Sequence, residues 1–243
     1  MSMKRFFFIC LLLATCQLKE DLNWQNASIK KQSSIVLEGG SSTEAHFIFP
    51  TCDHQQALCE SLSIFFVKKS SELLGFNYKK DITYEKLAEK FIHSYEQIHK
   101  QLPNPIIPWE AKLQGNIHAL DKVYNPTIEY YIFTGGTSID EGIAAAFIDK
   151  KTQKNIPIKK LFLNYIQFEK MVEQQFIAQF GDYRSKEFYF ENGKFKISQN
   201  HYIKDNFWVV SYATGEIAPM YKGVFEVKIP MEDLQSVLNP MYF

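Results

Sequence analysis

Asp140 and Glu141 stand just after a glycine pair, Gly135-Gly136, and are the residues best suited by type to act as an acid and a base. Two carboxyls flanking a glycosidic bond can protonate the leaving oxygen and supply a nucleophile or activate water. Adjacent carboxylates in a polar turn are more often simply solvated. A glycine pair is more often a backbone requirement of a turn than a ligand cradle. Within the same turn Thr137 and Ser138 present hydroxyls, so Gly135, Gly136, Thr137 and Ser138 are candidate ligand contacts. A second candidate group is Tyr212, Pro219 and Tyr221, whose rings could line a carbohydrate or protein contact or pack in a core.

The remaining reactive side chains carry little. Cys52 and Cys59 lie near His46 and His54, but the set has no recognised metal-ligand spacing, and no metal or cofactor is expected. In an oxidising compartment the two thiols are expected to pair. His93 and His99 are six residues apart, about 240° around a helix, so they cannot share a metal. No His-Glu-x-x-His, Gly-x-Ser-x-Gly, phosphate loop or Cys-x-x-Cys occurs, and no residue is assigned as catalytic.

The elements that must hold these residues read as a mixture of helices and strands. Short strands are expected at 34–37 and 45–49 around Gly39-Gly40, then a helix from Thr51 or Asp53 to the stop at Gly75. Apolar residues at helical spacing predict a second helix over 81–101, ended by Pro103. From Trp109 to Ala119 apolar and polar residues alternate, which predicts a half-buried antiparallel strand with His118 on its solvent face. Asn125-Pro126 reads as a turn into a strand at 128–134, followed by the glycine-marked turn and a strand at 142–148. A third helix is expected over 164–180. Asn192-Gly193 predicts a hairpin joining strands at 187–191 and 194–198, and strands at 202–203, 207–212 and 224–229 are expected to continue the same sheet. The fold class is α+β, an antiparallel or mixed sheet with helices mainly on one face.

Composition narrows the function classes. The 243 residues are 46% hydrophobic and 15% aromatic, ample for a large core. The N-terminus, with Lys4 and Arg5 before a nine-residue apolar run, reads as a signal peptide over 1–15, too short to cross a bilayer. Its removal leaves 25 basic and 27 acidic residues with Arg184 the single arginine, a poor set for nucleic acid. Leu13-Ala14-Thr15-Cys16 resembles a bacterial lipobox, which implies lipidation of Cys16, and the following Lys19-Glu20-Asp21 resembles an export signal of surface lipoproteins. Residues 16–33 read as a polar tether.

Two stretches resemble a known family. Tyr130-Tyr131-Ile132-Phe133-Thr134-Gly135-Gly136, then Phe147-Ile148-Asp149 and Ile158-Lys159-Lys160-Leu161-Phe162, is similar to the core of the RsiV-like extracytoplasmic domain. Tyr212-Ala213-Thr214-Gly215-Glu216-Ile217-Ala218-Pro219-Met220-Tyr221-Lys222-Gly223, then Val227-Lys228-Ile229-Pro230 and Leu234, resembles its C-terminal signature. The preceding half is similar to the region found with this domain in RsiV-type anti-sigma factors and PdaC-type peptidoglycan deacetylases. Where the family often has a histidine after the glycine pair, this chain has Ser138. The deacetylase's paired aspartates and His-x-x-x-His are also missing from the sequence.

The resemblance implies an exported domain near the cell wall; in the RsiV type it binds lysozyme. The expected organisation is a PdaC-like N-terminal α/β half over 34–125 and an RsiV-like domain over 126–243. The expected protein is a lipoprotein of the outer membrane, at the cell surface or the periplasmic face, held to the membrane by its lipid. Its expected role is non-catalytic binding of a lysozyme-like protein or of peptidoglycan. The alternatives are a cell-wall glycan hydrolase or deacetylase-like enzyme, and a scaffold subunit of an envelope complex.

Overall fold

Strand β1 (Gln25–Val36) turns back into β2 (Ser42–Thr51) through Gly39 and Gly40, whose φ values of +90° and +83° suit the left-handed region that glycine enters without strain. The structure, a computed structural model, describes residues 24–52, 57–102, 104, 106–137 and 139–243. The expected signal peptide, Cys16 and Ser138 lie outside the described residues.

From β2 the chain passes through α1 (Ala57–Leu73) and α2 (Tyr84–Gln101) before entering β3 (Glu110–Ala119), which lies parallel to β2. Parallel neighbours require a crossover, and the two helices supply it. Helix α2 starts where Thr83 Oγ1 accepts the Lys86 N–H at 3.3 Å, and it buries Leu87, Ala88, Phe91, Ile92 and Tyr95. Antiparallel strands β4 (Val123–Phe133) and β5 (Asp140–Ala145) complete the order β1-β2-β3-β4-β5, with the short β6 (Ile148–Asp149) beside the start of β4. Phe66, Phe91 and Ile92 of the helices meet Phe47, Phe49, Leu113, Ile128 and Ile132 of the sheet in one core. Gly115 is required there: a Cβ would fall 2.6 Å from Phe49 Cδ1 and 2.9 Å from Phe66 Cε1.

A second core lies under helix α3 (Tyr165–Phe180) and a separate antiparallel sheet of β7 (Asn200–Lys204), β8 (Phe207–Tyr212) and β9 (Phe225–Pro230). Asn164 caps α3 by accepting the Gln167 N–H at 3.0 Å. Phe168, Val172 and Phe176 of the helix pack among Trp208, Val210, Tyr212 and Val227. Phe147, from the link between β5 and β6, stacks on Trp208 at 5.1 Å and so carries the first sheet into the second core.

The structure confirms the α+β class and corrects several expectations. Residues 25–33, read as tether, belong to β1. Only Ile29 and Ser33 of that strand are buried, so its apolar alternation was too faint to see. The strands are in two sheets rather than one. Asn125-Pro126 lies inside β4 instead of turning the chain, in keeping with the extended backbone favoured before proline. Position 125/126 lies inside β4, whose residues Tyr124 to Phe133 pair with β3. The Asn192-Gly193 turn forms, with φ of +54° and +63°, but the expected flanking strands do not. Their phenylalanines collapse on α3 instead: Phe188, Phe190 and Phe195 all lie 5.1 to 5.5 Å, centroid to centroid, from Phe176. Cys52 and Cys59 are bonded, with Cα atoms 5.8 Å apart.

Candidate functional site

The turn between β4 and β5 and the segment between β8 and β9 come together through Thr214. Its Oγ1 accepts the Glu141 N–H at 2.9 Å and donates to Ile139 O at 3.1 Å, while its own N–H donates to Glu141 O at 3.0 Å. This short ladder covers part of the free edge of β5. Close approach of the two segments also explains Gly142, where a Cβ would sit 2.9 Å from Tyr130 Oη and 3.0 Å from Ala213 Cβ.

Beside the ladder is a cleft of about 440 Å³ lined by Glu129, Glu141 and Glu226 together with Tyr130, Ile143 and Phe180. Glu226 accepts a short hydrogen bond from the Tyr202 hydroxyl, and its other oxygen is 3.2 Å from Lys228 Nζ. Burial first, then the bond to Glu226 and the charges of Glu226 and Glu129, push the Tyr202 phenol far up. Burial, followed by the charges of Asp140 and Glu216, does the same to Tyr130. Both phenols therefore keep their protons at neutral pH, and the cleft presents carboxylates and neutral donors. It favours a cationic guest.

The expected site residues divide. Gly135 and Gly136 both have φ of +87°, so the turn does require glycine. Gly136 and Thr137 are exposed, Pro219 is half-buried ahead of the 3-10 helix Met220–Lys222, and Tyr221 is 85% exposed. Tyr212 is a correction. It is fully buried beside Phe176 and Phe190, and its hydroxyl donates to Lys196 O at 3.1 Å, so of the two roles read for it, it takes the one in the core. Asp140 and Glu141 are consecutive residues of β5, which sends them to opposite faces of the strand. They do not converge on one bond, although local burial raises the Asp140 carboxyl. Among the described residues no three His, Cys, Asp or Glu side chains gather as metal ligands.

Sequence reasoning missed Glu129, Glu226, Tyr202 and Thr214. Glu129 and Glu226 sit in the polar phase of alternating strands, where a charge reads as ordinary solvent surface. Nothing short of the sheet pairing reveals that two strands from different sheets aim carboxylates at one space.

Residues 143–232 match the family described as a protein of unknown function (DUF3298). The DUF3298 match supplies Ile143, Phe180 and Glu226 to the cleft, while Glu129, Tyr130 and Glu141 precede it. A crystal structure of a DUF3298 family member from Bacteroides fragilis is similar, with a TM-score of 0.68 and 14% identity over 90% of this chain and 94% of that one. A DUF3298 family protein from Pseudomonas aeruginosa gives 0.64 and 16%, over 92% and 97%. At these identities the likeness is one of fold, and it takes in both cores. A comparison with curated proteins finds no match.

Proposed function

We propose that this chain is a lipid-anchored envelope protein whose acidic cleft binds, without catalysis, a basic protein of the lysozyme type. The observation that carries this reading is the convergence of Glu129, Glu141 and Glu226 on one cleft, beside an exposed turn containing Gly136 and Thr137. Complementary charge steers association and fixes orientation, while an exposed aromatic such as Tyr221 supplies contact area. The resemblance of 130–136 and 212–223 to the RsiV-like domain supports the same partner class. The opposed directions of Asp140 and Glu141 argue against the glycan hydrolase alternative. The test is capture of hen lysozyme by the purified Cys16→Ser chain, run beside an assay for products released from peptidoglycan. Capture without turnover is expected; turnover lost in Asp140→Asn or Glu141→Gln would replace the reading with a hydrolase.

A further inference from the structure

A second and larger concavity, about 690 Å³, opens between α1 and the stretch running from the end of β5 to the start of α3. It shares no lining residue with the acidic cleft. Its size falls in the range of roughly 300–1,000 Å³ typical of small-molecule sites. Ile64 and Phe65 from α1 face Ile158 and Tyr165, with the buried Phe147 and Ile156 beneath, while Ser61, Gln153, Asn155 and Gln199 add polar side chains to the lining. Ile64 stays 41% exposed on a helix whose other apolar residues find partners, so the wall offers hydrocarbon surface that the fold itself does not cover.

The charge here is opposite in sign to that of the cleft. Lys68, Lys69 and Lys159 stand at the groove against the single carboxylate of Glu72, which pairs with Lys69 at 2.7 Å. Among the described residues no carboxylate pairs with Lys68 on α1 or with Lys159 on the 3-10 helix Ile158–Leu161. Lys159 Nζ lies 5.4 Å from the Tyr165 ring centroid, which holds that ammonium at the wall. Burial, with a lesser contribution from Glu169, pushes the Tyr165 phenol up to about 12, so it remains a neutral donor.

We infer that this groove binds a long-chain carboxylate, its alkyl chain along the apolar floor and its head between Lys68 and Lys159. A polyphosphate would call for the arginines or glycine-rich loop that the groove lacks. A single alkyl chain with one negative charge uses both of the groove's properties. This inference is independent of the acidic cleft and of what the cleft binds.

The experiment is displacement of cis-parinarate fluorescence from the full chain carrying Cys16→Ser, with hexadecanoate titrated below its micelle concentration. Hexadecanoate should displace the probe, and hexadecan-1-ol, equal in chain but uncharged, should be weaker by about tenfold or more, the factor expected when roughly 1.4 kcal/mol of head-group interaction is lost. The double variant Lys68→Glu, Lys159→Glu should weaken hexadecanoate by a similar factor, and Ile64→Asp should weaken acid and alcohol alike. All three positions are exposed, so unchanged circular dichroism is expected. Failure of hexadecanoate to displace the probe, equal binding of acid and alcohol, or unchanged affinity in the double variant would each overturn the assignment. So would binding seen only with phospholipid vesicles, which would make the groove a membrane contact.

Discussion

Asn125 Oδ1 accepts the backbone N–H of Ile203 at 2.9 Å, joining β4 of the first sheet to β7 of the second. The amide nitrogen of the same side chain donates to Ala146 O at 2.8 Å and reaches His201 O at 3.5 Å. Asn125 is fully buried, so one side chain satisfies three backbone groups from two segments where water cannot replace it. This contact, with Phe147 on Trp208, ties one sheet to the other.

Asn125→Ala should therefore cost more than an ordinary hydrogen bond. It strands the Ile203 N–H and two carbonyls in the interior, and a loss of about 2–4 kcal/mol is expected. Urea unfolding measures it, and hydrogen exchange at the Ile203 amide should accelerate well beyond that at core amides of β3. A loss under about 1 kcal/mol would show that the sheets are held by apolar packing alone.

The buried His201 predicts a pH dependence. Its Nε2–H donates to Ser198 O at 2.7 Å, and its Nδ1 accepts the Trp208 Nε1–H at 3.0 Å, so the ring is neutral and a second proton has no acceptor. Burial lowers its pKa to about 4, below the roughly 6.5 of an unfolded histidine. The stabilisation is thus complete above pH ~6.5 and is lost as the pH falls toward ~4, on the order of 3 kcal/mol in total. Urea midpoints at pH 7 and pH 4 should separate by less in His201→Asn than in the parent chain. An equal separation would assign the acid sensitivity to other groups.

The Cys52–Cys59 bond ties the end of β2 to the first turns of α1, closing a loop with a sequence separation of 7. On the chain-entropy estimate such a loop contributes about 2.5 kcal/mol. Reduction, or Cys52→Ser with Cys59→Ser, should lower the unfolding free energy measured in urea by that amount. Non-reducing peptide mapping of protein from its native compartment should find the two cysteines in one linked species, and two free thiols there would contradict the pairing.

Lipidation of Cys16 is expected from the Leu13-Ala14-Thr15-Cys16 box. Radiolabelled palmitate should enter the parent chain and not Cys16→Ser; equal labelling of both would remove the anchor from the account.

Much of the fold was legible because strong local patterns coincide with what tertiary packing rewards. The apolar spacing over 81–101 and 164–180 returns as α2 and α3 with their stripes buried, and the alternation of β3 survives as the buried Ala111, Leu113 and Gly115. What stayed hidden depends on partners distant in sequence. Polar β1 becomes a strand because β2 offers a ladder, and phenylalanines 188, 190 and 195 leave their predicted hairpin because α3 offers Phe176. The site was half legible. The two loops were identifiable as turns, but Thr214 bonding to Glu141, and the carboxylates it helps to gather, arise only from the pairing of two sheets. Tyr212 misled because a tyrosine in a recognition loop and one anchoring a core look alike in sequence.

The most direct measurement of the central claim is the affinity of immobilised chain for hen lysozyme as a function of salt, compared with Glu129→Lys, Glu141→Lys. Glu129 is exposed and Glu141 half-buried, so the fold should tolerate both changes. The account predicts capture that weakens steadily between 50 and 500 mM salt, since charges at an accessible interface are screened over about 10 Å at 0.1 M. It also predicts at least about a tenfold loss in the double variant, mostly through slower association at low salt. Affinity indifferent to salt and to both charge reversals, or no capture by a chain whose circular dichroism is intact, would contradict the acidic cleft as the binding surface.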